Sequence, residues 1–242
     1  LGRRRDDGIV LHAFGPFLGT PDSSPFVIKA MLLLELAGLP FRVERGGLGR
    51  APKGLLPYLR DDGAVVADST FIRRHIERKY GFDFDQGLTA EQKAIAWSVE
   101  RLCEDHLYWA LLELRWADAE NFARGLSVMF RVVPAPVRPL AKAIMRRRTL
   151  RRLHAQGMGR FTQAEIADLA QRDIAALATL IGDKPYLMGR RPCGADATVF
   201  GLVCALLTPE LKSPAILAAL AEPRLVAYRD RIAARWFASA SA

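Results

Sequence analysis

The spacing of apolar residues along the chain changes character near Gly87. Before it the apolar runs are short and alternate in type. Ile9-Val10-Leu11-His12-Ala13-Phe14 is rich in β-formers and stops at Gly15-Pro16, which predicts a strand. From Pro25 to Leu39 the apolar positions are Phe26, Val27, Ala30, Leu33, Leu34 and Ala37, the spacing of one helix face. Ser23 or Ser24 can cap that helix, Pro25 suits its first position, and Gly38 with Pro40 ends it. Phe41 to Arg45 alternates apolar and polar, as a half-buried strand does. Leu56 to Arg60 and Ala64 to Ala67 read as short strands joined by the turn Asp61-Asp62-Gly63, and Asp68-Ser69 caps a helix to about Tyr80.

Beyond Gly87 the period is helical throughout. Thr89-x-x-Gln92 is a capping-box signature before a long stripe through Ile95, Val99, Leu102, Leu107, Ala110 and Leu114. Thr162-x-x-Glu165 opens a second such helix, which runs to Ile181 and breaks at Gly182-Asp183-Lys184-Pro185. Further helices are expected over about 195–207, 213–221 and 223–237. The first part therefore orders as β-α-β, then β-β-α, and its closing hairpin excludes a simple doubly wound unit. The predicted fold class is α/β plus all-α: an N-terminal thioredoxin-like domain over 9–81, then a helical bundle over 88–238.

Composition narrows the function classes. In 242 residues, half are hydrophobic and a quarter charged, as in ordinary globular chains. Cys103, Cys193 and Cys204 form no Cys-x-x-Cys pair, and the four histidines form no His-x-x-x-His pair. No disulfide framework and no metal are expected, and a reducing compartment, the cytoplasm, is the simplest location. The most apolar long stretch, Leu126 to Met145, carries Arg131, Arg138 and Lys142 and three prolines, so it does not read as a span. The net charge of +9 is concentrated: ten Lys or Arg and no acidic residue lie between Glu120 and Glu165, which leaves the rest near −1. That distribution argues against a protein built throughout for nucleic acid. It leaves open an anionic ligand or an acidic membrane surface beside the segment.

Three places can carry chemistry. Pro57 sits where a strand is expected, and a proline there removes a ladder hydrogen bond. It is either a trans edge-strand proline or a cis proline that turns the Leu56 N–H and C=O outward toward an extended peptide. Asp68-Ser69 caps a helix, and the same N–H groups and dipole end suit a carboxylate while Asp68 takes an ammonium. Ser24 either caps its helix or faces a thiol. A hydrogen bond to a charged acceptor is worth about 1.5–3 kcal/mol, which lowers a thiol pKa by about one to two units. No Gly-x-Ser-x-Gly occurs, and Gly46-Gly47-Leu48-Gly49 has neither dinucleotide nor P-loop spacing, so it reads as a turn.

Together, Ser24-Pro25-Phe26-x-x-Lys29, Leu56-Pro57-Tyr58 and Ala67-Asp68-Ser69-Thr70 resemble the glutathione-binding residues of cytosolic glutathione S-transferases. Leu187-Met188-Gly189 followed by Ala195-Asp196-Ala197-Thr198-Val199-Phe200-Gly201 resembles that family's core-helix motif. The subgroup resembled most is the failed-axon-connections and metaxin-like branch, through Tyr108-Trp109, Gln156-Gly157-x-Gly159-Arg160 and the same core-helix run. The resemblance implies a cis Pro57, bound glutathione, and a homodimer. It implies Ser24 as the thiol-activating residue, with Ser23 as its rival, and Leu56, Pro57, Asp68 and Ser69 as glutathione-binding residues; Lys53, after the Gly-rich loop, is either a solvated lysine or a further glutathione-binding residue that reaches a carboxylate. Tyr108, Trp109, Arg115 and Trp116 are candidates for a second-substrate pocket that takes a small electrophile. The implied reaction is transfer of the glutathione sulfur to that electrophile. The alternative is a non-catalytic scaffold or a membrane-associated partner, with weak anionic-membrane contact through Arg146, Arg147, Arg148, Arg151 and Arg152. No nucleic-acid partner is expected, because no basic motif is interleaved with aromatics. Two departures stand out: Cys193 replaces the Ser or Thr cap expected three residues before Asp196, and no tyrosine lies near the end of the first strand.

Overall fold

A computed structural model describes residues 8–238. Strands β1 (Ile9–Ala13), β2 (Phe41–Arg45), β3 (Tyr58–Asp61) and β4 (Ala64–Ala67) form one mixed sheet in the order β2-β1-β3-β4. β1 runs parallel to β2 and antiparallel to β3, and β3 and β4 pair as a hairpin. The parallel pair needs a crossover, which α1 (Pro25–Leu36) supplies, and α2 (Ser69–Tyr80) follows the hairpin. This is the thioredoxin-like layout. The hairpin turn has Asp62 and Gly63 both at positive φ, as a two-residue primed turn requires. β1 is buried along its length, while β2 is an edge strand with Arg42, Val43 and Arg45 exposed.

The helical part comprises α3 (Ala90–Arg101), α4 (Tyr108–Trp116), α5 (Ala119–Arg124), α6 (Arg138–Gln156), α7 (Gln163–Ile181), α8 (Gly194–Leu206), α9 (Pro214–Leu220) and α10 (Pro223–Trp236). Both capping boxes form. The Gln92 N–H donates to Thr89 Oγ1 at 3.1 Å while the Thr89 N–H donates to Gln92 Oε1, and Thr162 and Glu165 do the same at the start of α7. The stripe expected as one helix after Thr89 differs from prediction: residues Leu102–Leu107 form a π-helical turn between α3 and α4. The Arg146–Arg152 cluster lies inside the 19-residue α6. No helix among the described residues is long and apolar enough to cross a membrane.

By packing, the described residues form two compact units. One holds residues 8–100, 183–205 and 227–238; the other holds 101–182 and 206–226. The first unit therefore contains the sheet, α1, α2, nearly all of α3 and α8, and α10 from Ala227 onward. Its centre includes an ionic cluster the sequence did not reveal. The Lys29 ammonium, 1% exposed, pairs with Glu100 at 3.1 Å. Arg73 donates to Glu100, Asp85 and Glu77, and Thr198 Oγ1 donates to Glu100. In the same unit the Asp196 carboxylate accepts the N–H groups of Leu187 and Cys193 and the Tyr228 hydroxyl. Cys193 is thus a weak cap whose N–H is taken by Asp196 in the first turn of α8. Burial beside that carboxylate pushes the Cys193 thiol far above its ordinary pKa.

Candidate functional site

Three segments meet at one end of the sheet. β1 and β3 are antiparallel with His12 opposite Tyr58, so the C-terminal end of β1 lies beside the N-terminal end of β3. Tyr58 also pairs with Ala67, the last residue of β4, and the Asp68 N–H donates to the Pro57 carbonyl at 3.1 Å. The loop leaving β1, the Leu56-Pro57 step and the start of α2 therefore share that end. The Leu56–Pro57 peptide is cis. Among the described residues, the Leu56 N–H and C=O have no hydrogen-bond partner, so both are available to an extended chain laid alongside.

Asp68 occupies φ 83°, ψ 133°, a conformation that non-glycine residues avoid and that recurs at ligand sites. Its carboxylate accepts the Thr70 N–H at 2.9 Å and so caps α2, yet it remains solvent-exposed. Ser69 opens α2 and is buried. Lys53, in the loop between β2 and β3, stacks its ammonium 4.1 Å from the Phe71 ring in the first turn of α2, next to Asp68 and Ser69. A cation, a carboxylate and a helix N-terminus thus lie within a few residues of one another.

Ser24 is the N-cap of α1 in extended conformation, and Pro25 fills the first helical position as expected. Its carbonyl accepts the Val27 and Ile28 N–H groups, but its hydroxyl makes no capping bond and has no partner among the described residues. The Ser24 backbone is held in place by a residue that the sequence does not single out. Asp22, buried in the loop, accepts N–H bonds from Phe14, Gly15 and Ser24. Burial pushes its carboxyl up to about 6 in spite of those three bonds and of Arg45 nearby. The run Pro21-Asp22-Ser23-Ser24 carries only an ordinary turn signal, so its sequence alone does not single Asp22 out. Beside the same loop, Gly47 must be glycine: it has φ 83°, and a Cβ there would meet Tyr58 Oη at 2.8 Å and His12 Nδ1 at 3.0 Å.

The other predicted residues have settings of their own. Lys29, part of the motif that resembles a glutathione site, is buried against Glu100 and faces away from solvent, because its ammonium is needed in the ionic cluster. Tyr108, Trp109, Arg115 and Trp116 all lie on α4, in the second unit. Tyr108 and Trp109 meet edge to face at 5.7 Å, and Trp116 packs on Phe122 at 5.5 Å. Arg115 is buried on the same helix face as Tyr108, and burial lowers its pKa to about 10. Among the described residues, no group of His, Cys, Asp and Glu is arranged to hold a metal.

A thioredoxin-like domain with a cis proline at its ligand end, continued by a helical domain, defines the class of the fold. Comparison with known proteins assigns it further. Residues 25–121 match the glutathione S-transferase N-terminal domain, and residues 170–232 match the glutathione S-transferase C-terminal domain. The chain is 31% identical over 233 residues to the isoprene-epoxide--glutathione S-transferase of Rhodococcus sp. (strain AD45), covering 93% of this chain and 97% of that protein. It therefore belongs to the glutathione S-transferase family. It is also 28% identical to Failed axon connections of Drosophila melanogaster, spanning 50% of that protein, and 26% identical to metaxin-1 of Mus musculus, spanning 64% of it. Among solved structures, the β-etherase LigF of Sphingobium sp. strain SYK-6 matches with a TM-score of 0.65 at 18% identity, over 94% of this chain and 96% of that one. A glutathione transferase family member from Pseudomonas fluorescens pf-5, with two glutathione bound, matches with a TM-score of 0.61 at 16% identity, over 97% of this chain and 92% of that one.

Proposed function

We propose that this chain is a glutathione transferase of the serine type. The Ser24 hydroxyl donates to the glutathione sulfur and favours the thiolate. The Leu56 N–H and C=O pair with the cysteinyl backbone, with Pro57 setting their direction. Asp68 takes the γ-glutamyl ammonium, the Ser69 end of α2 takes its carboxylate, and Lys53 takes a second carboxylate. Tyr108, Trp109, Arg115 and Trp116 are assigned to the electrophile. The observation that carries the reading is the Ser24 hydroxyl, unpartnered among the described residues at the N-terminus of α1. Ser23 is the weaker choice, since its side of the loop is already engaged.

The name of the Rhodococcus relative supplies the class of electrophile to assay first, a small alkene epoxide. In that reaction the thiolate attacks an epoxide carbon, the C–O bond breaks, and the alkoxide takes a proton from water. A free thiol has a pKa near 8.5, and a hydrogen bond worth about 1.5–3 kcal/mol lowers it toward neutrality. Ser24→Ala should then reduce conjugation at pH 7 by roughly ten- to thirtyfold, since the unaided thiol is already about 3% thiolate there. The loss should shrink as pH rises above the free-thiol pKa, because the thiolate then forms unaided. A pH-independent loss would mean that Ser24 acts by another route.

A second reading is a family member that binds glutathione or a partner without turnover, and the matches to Failed axon connections and the metaxins favour it. Glutathione at about 100 times its dissociation constant stabilises a protein by roughly 2.7 kcal/mol. A thermal shift of that size without conjugation supports the second reading in its glutathione-binding form, and no shift with no conjugation removes the transferase and leaves a partner-binding member. A homodimer in the cytoplasm completes the proposal, and sedimentation equilibrium with cell fractionation tests it.

A further inference from the structure

The segment between the two family matches, residues 122–169, belongs to neither. It contains α6, and its ten basic against two acidic residues give it most of the chain's net positive charge. Thr149 and Leu153 are the buried residues of α6, and they mark its inward face. Leu140, Ile144, Arg147, Arg148 and Arg151 follow at i+4, i+7, i+8 and i+11, so they share the opposite face and are all exposed. That face begins apolar and ends cationic. Leu140 is 63% exposed, Ile144 59%, and Val137, just before the helix, 50%. Arg147, Arg148 and Arg151 have no acidic partner among the described residues, and the sequence offers none between Glu120 and Glu165. Arg146 is different: its guanidinium donates to the Trp116 and Ala117 carbonyls, so it packs inward and is withdrawn from the surface cluster expected from sequence.

We propose that the outward face of α6 docks on a bilayer surface carrying anionic phospholipids. Leu140, Ile144 and Val137 enter the headgroup boundary, and Arg147, Arg148 and Arg151 take lipid phosphates. Apolar turns that can enter the boundary and arginines that can meet phosphates supply the two contributions such binding sums, buried apolar area and attraction to anionic lipid. A nucleic acid would use the arginines but gives the leading apolar turns nothing to bury against. A second copy applied about a two-fold axis would bring the same uncompensated positive face against itself. The helix lies on the surface without spanning, since no helix among the described residues can cross a membrane. This inference is independent of the glutathione site.

The test is co-sedimentation of the full chain with large vesicles of phosphatidylcholine alone, or of phosphatidylcholine with phosphatidylglycerol. Binding to the anionic vesicles alone, falling steeply with added salt, is expected. Each surface arginine contributes about fivefold, so Arg147→Gln/Arg148→Gln/Arg151→Gln should weaken partition by roughly a hundredfold. Leu140→Ser/Ile144→Ser should weaken it while keeping the salt dependence. Far-UV circular dichroism and melting temperature identify any variant that fails to fold, and single Arg151→Gln and Ile144→Ser variants then replace it. Equal binding to both vesicles, or variants that bind like the parent, overturns the proposal. So does a salt-sensitive association with an oligonucleotide that ignores Leu140→Ser/Ile144→Ser, in the absence of vesicle binding. Self-association lost on Leu140→Ser/Ile144→Ser, again without vesicle binding, would make the face an interface between copies and also defeats it.

Discussion

Single side chains set the candidate site, and Asp22 exerts the most leverage per atom. Its carboxylate gathers the N–H groups of Phe14, Gly15 and Ser24 into one loop. Burial lifts its pKa from 3.8 to about 6. A carboxyl whose folded pKa is raised stabilises the fold fully below its unfolded pKa, and that contribution is lost as pH rises through the folded value. The window is therefore about pH 4 to 6. Two pKa units correspond to about 3 kcal/mol. Relative to Asp22→Asn, the parent chain should gain ~2–3 kcal/mol between pH 7 and pH 4, read from paired urea titrations at each pH. A stability difference that stays flat across this range would mean that the Asp22 carboxyl titrates normally. The candidate site residues legible in the sequence were those whose signal is local. Ser24, Pro57 and Asp68-Ser69 each sit in a short motif that also reads as a cap or turn. Asp22 was not legible because its partners across the loop, Phe14 and Gly15, are named only by the fold.

At the scale of elements the same division holds. The capping boxes at Thr89 and Thr162 were readable because both partners lie three residues apart. The hairpin turn was readable from Asp62-Gly63. The π turn at Leu102–Leu107 was not, since an apolar stripe drifts by only one residue across it. α6 was hidden because its apolar residues mostly face outward, leaving little periodic signal. The contact between α8 and the start of α1 is a further case. A Cβ on Gly201 would lie 2.3 Å from the Pro25 carbonyl oxygen and 3.1 Å from its carbon, both backbone atoms. Alanine in a helix gains up to about 1 kcal/mol over glycine, whereas a backbone clash costs about 1–3 kcal/mol through overpacking. The clash wins at this separation. Gly201→Ala should lower the melting temperature by several degrees, at about 2–4 °C per kcal/mol. Because Pro25 follows Ser24, the variant should also weaken glutathione binding, which isothermal titration would read. An unchanged melting temperature would show that α8 moves aside without cost.

Over the whole molecule, chain order and packing order differ. The unit that holds the sheet draws on residues 8–100, 183–205 and 227–238, so a thioredoxin-like piece cut from the N-terminus is not the whole unit. A fragment ending at residue 87 keeps Lys29, Arg73 and Asp85. It loses Glu100 and Thr198 from the ionic cluster, and the α8 backbone around Gly201 from α1. Lys29, 1% exposed in the full chain, then loses its ion pair with Glu100. Breaking a buried pair by removing one partner costs about 3–5 kcal/mol, against a total stability of only about 5–15 kcal/mol for a domain. A piece this short also buries a smaller fraction of its surface. The fragment should therefore show poor amide dispersion by NMR and no cooperative thermal transition. Lys29→Met removes the buried charge that has lost Glu100, at similar volume, so it should restore part of the dispersion in the fragment. In the full chain the same substitution should destabilise, because it leaves Glu100 buried with fewer partners. A fragment that melts cooperatively near the temperature of the full chain would show that the N-terminal residues hold their own core, and that the cluster at Lys29 joins segments already folded.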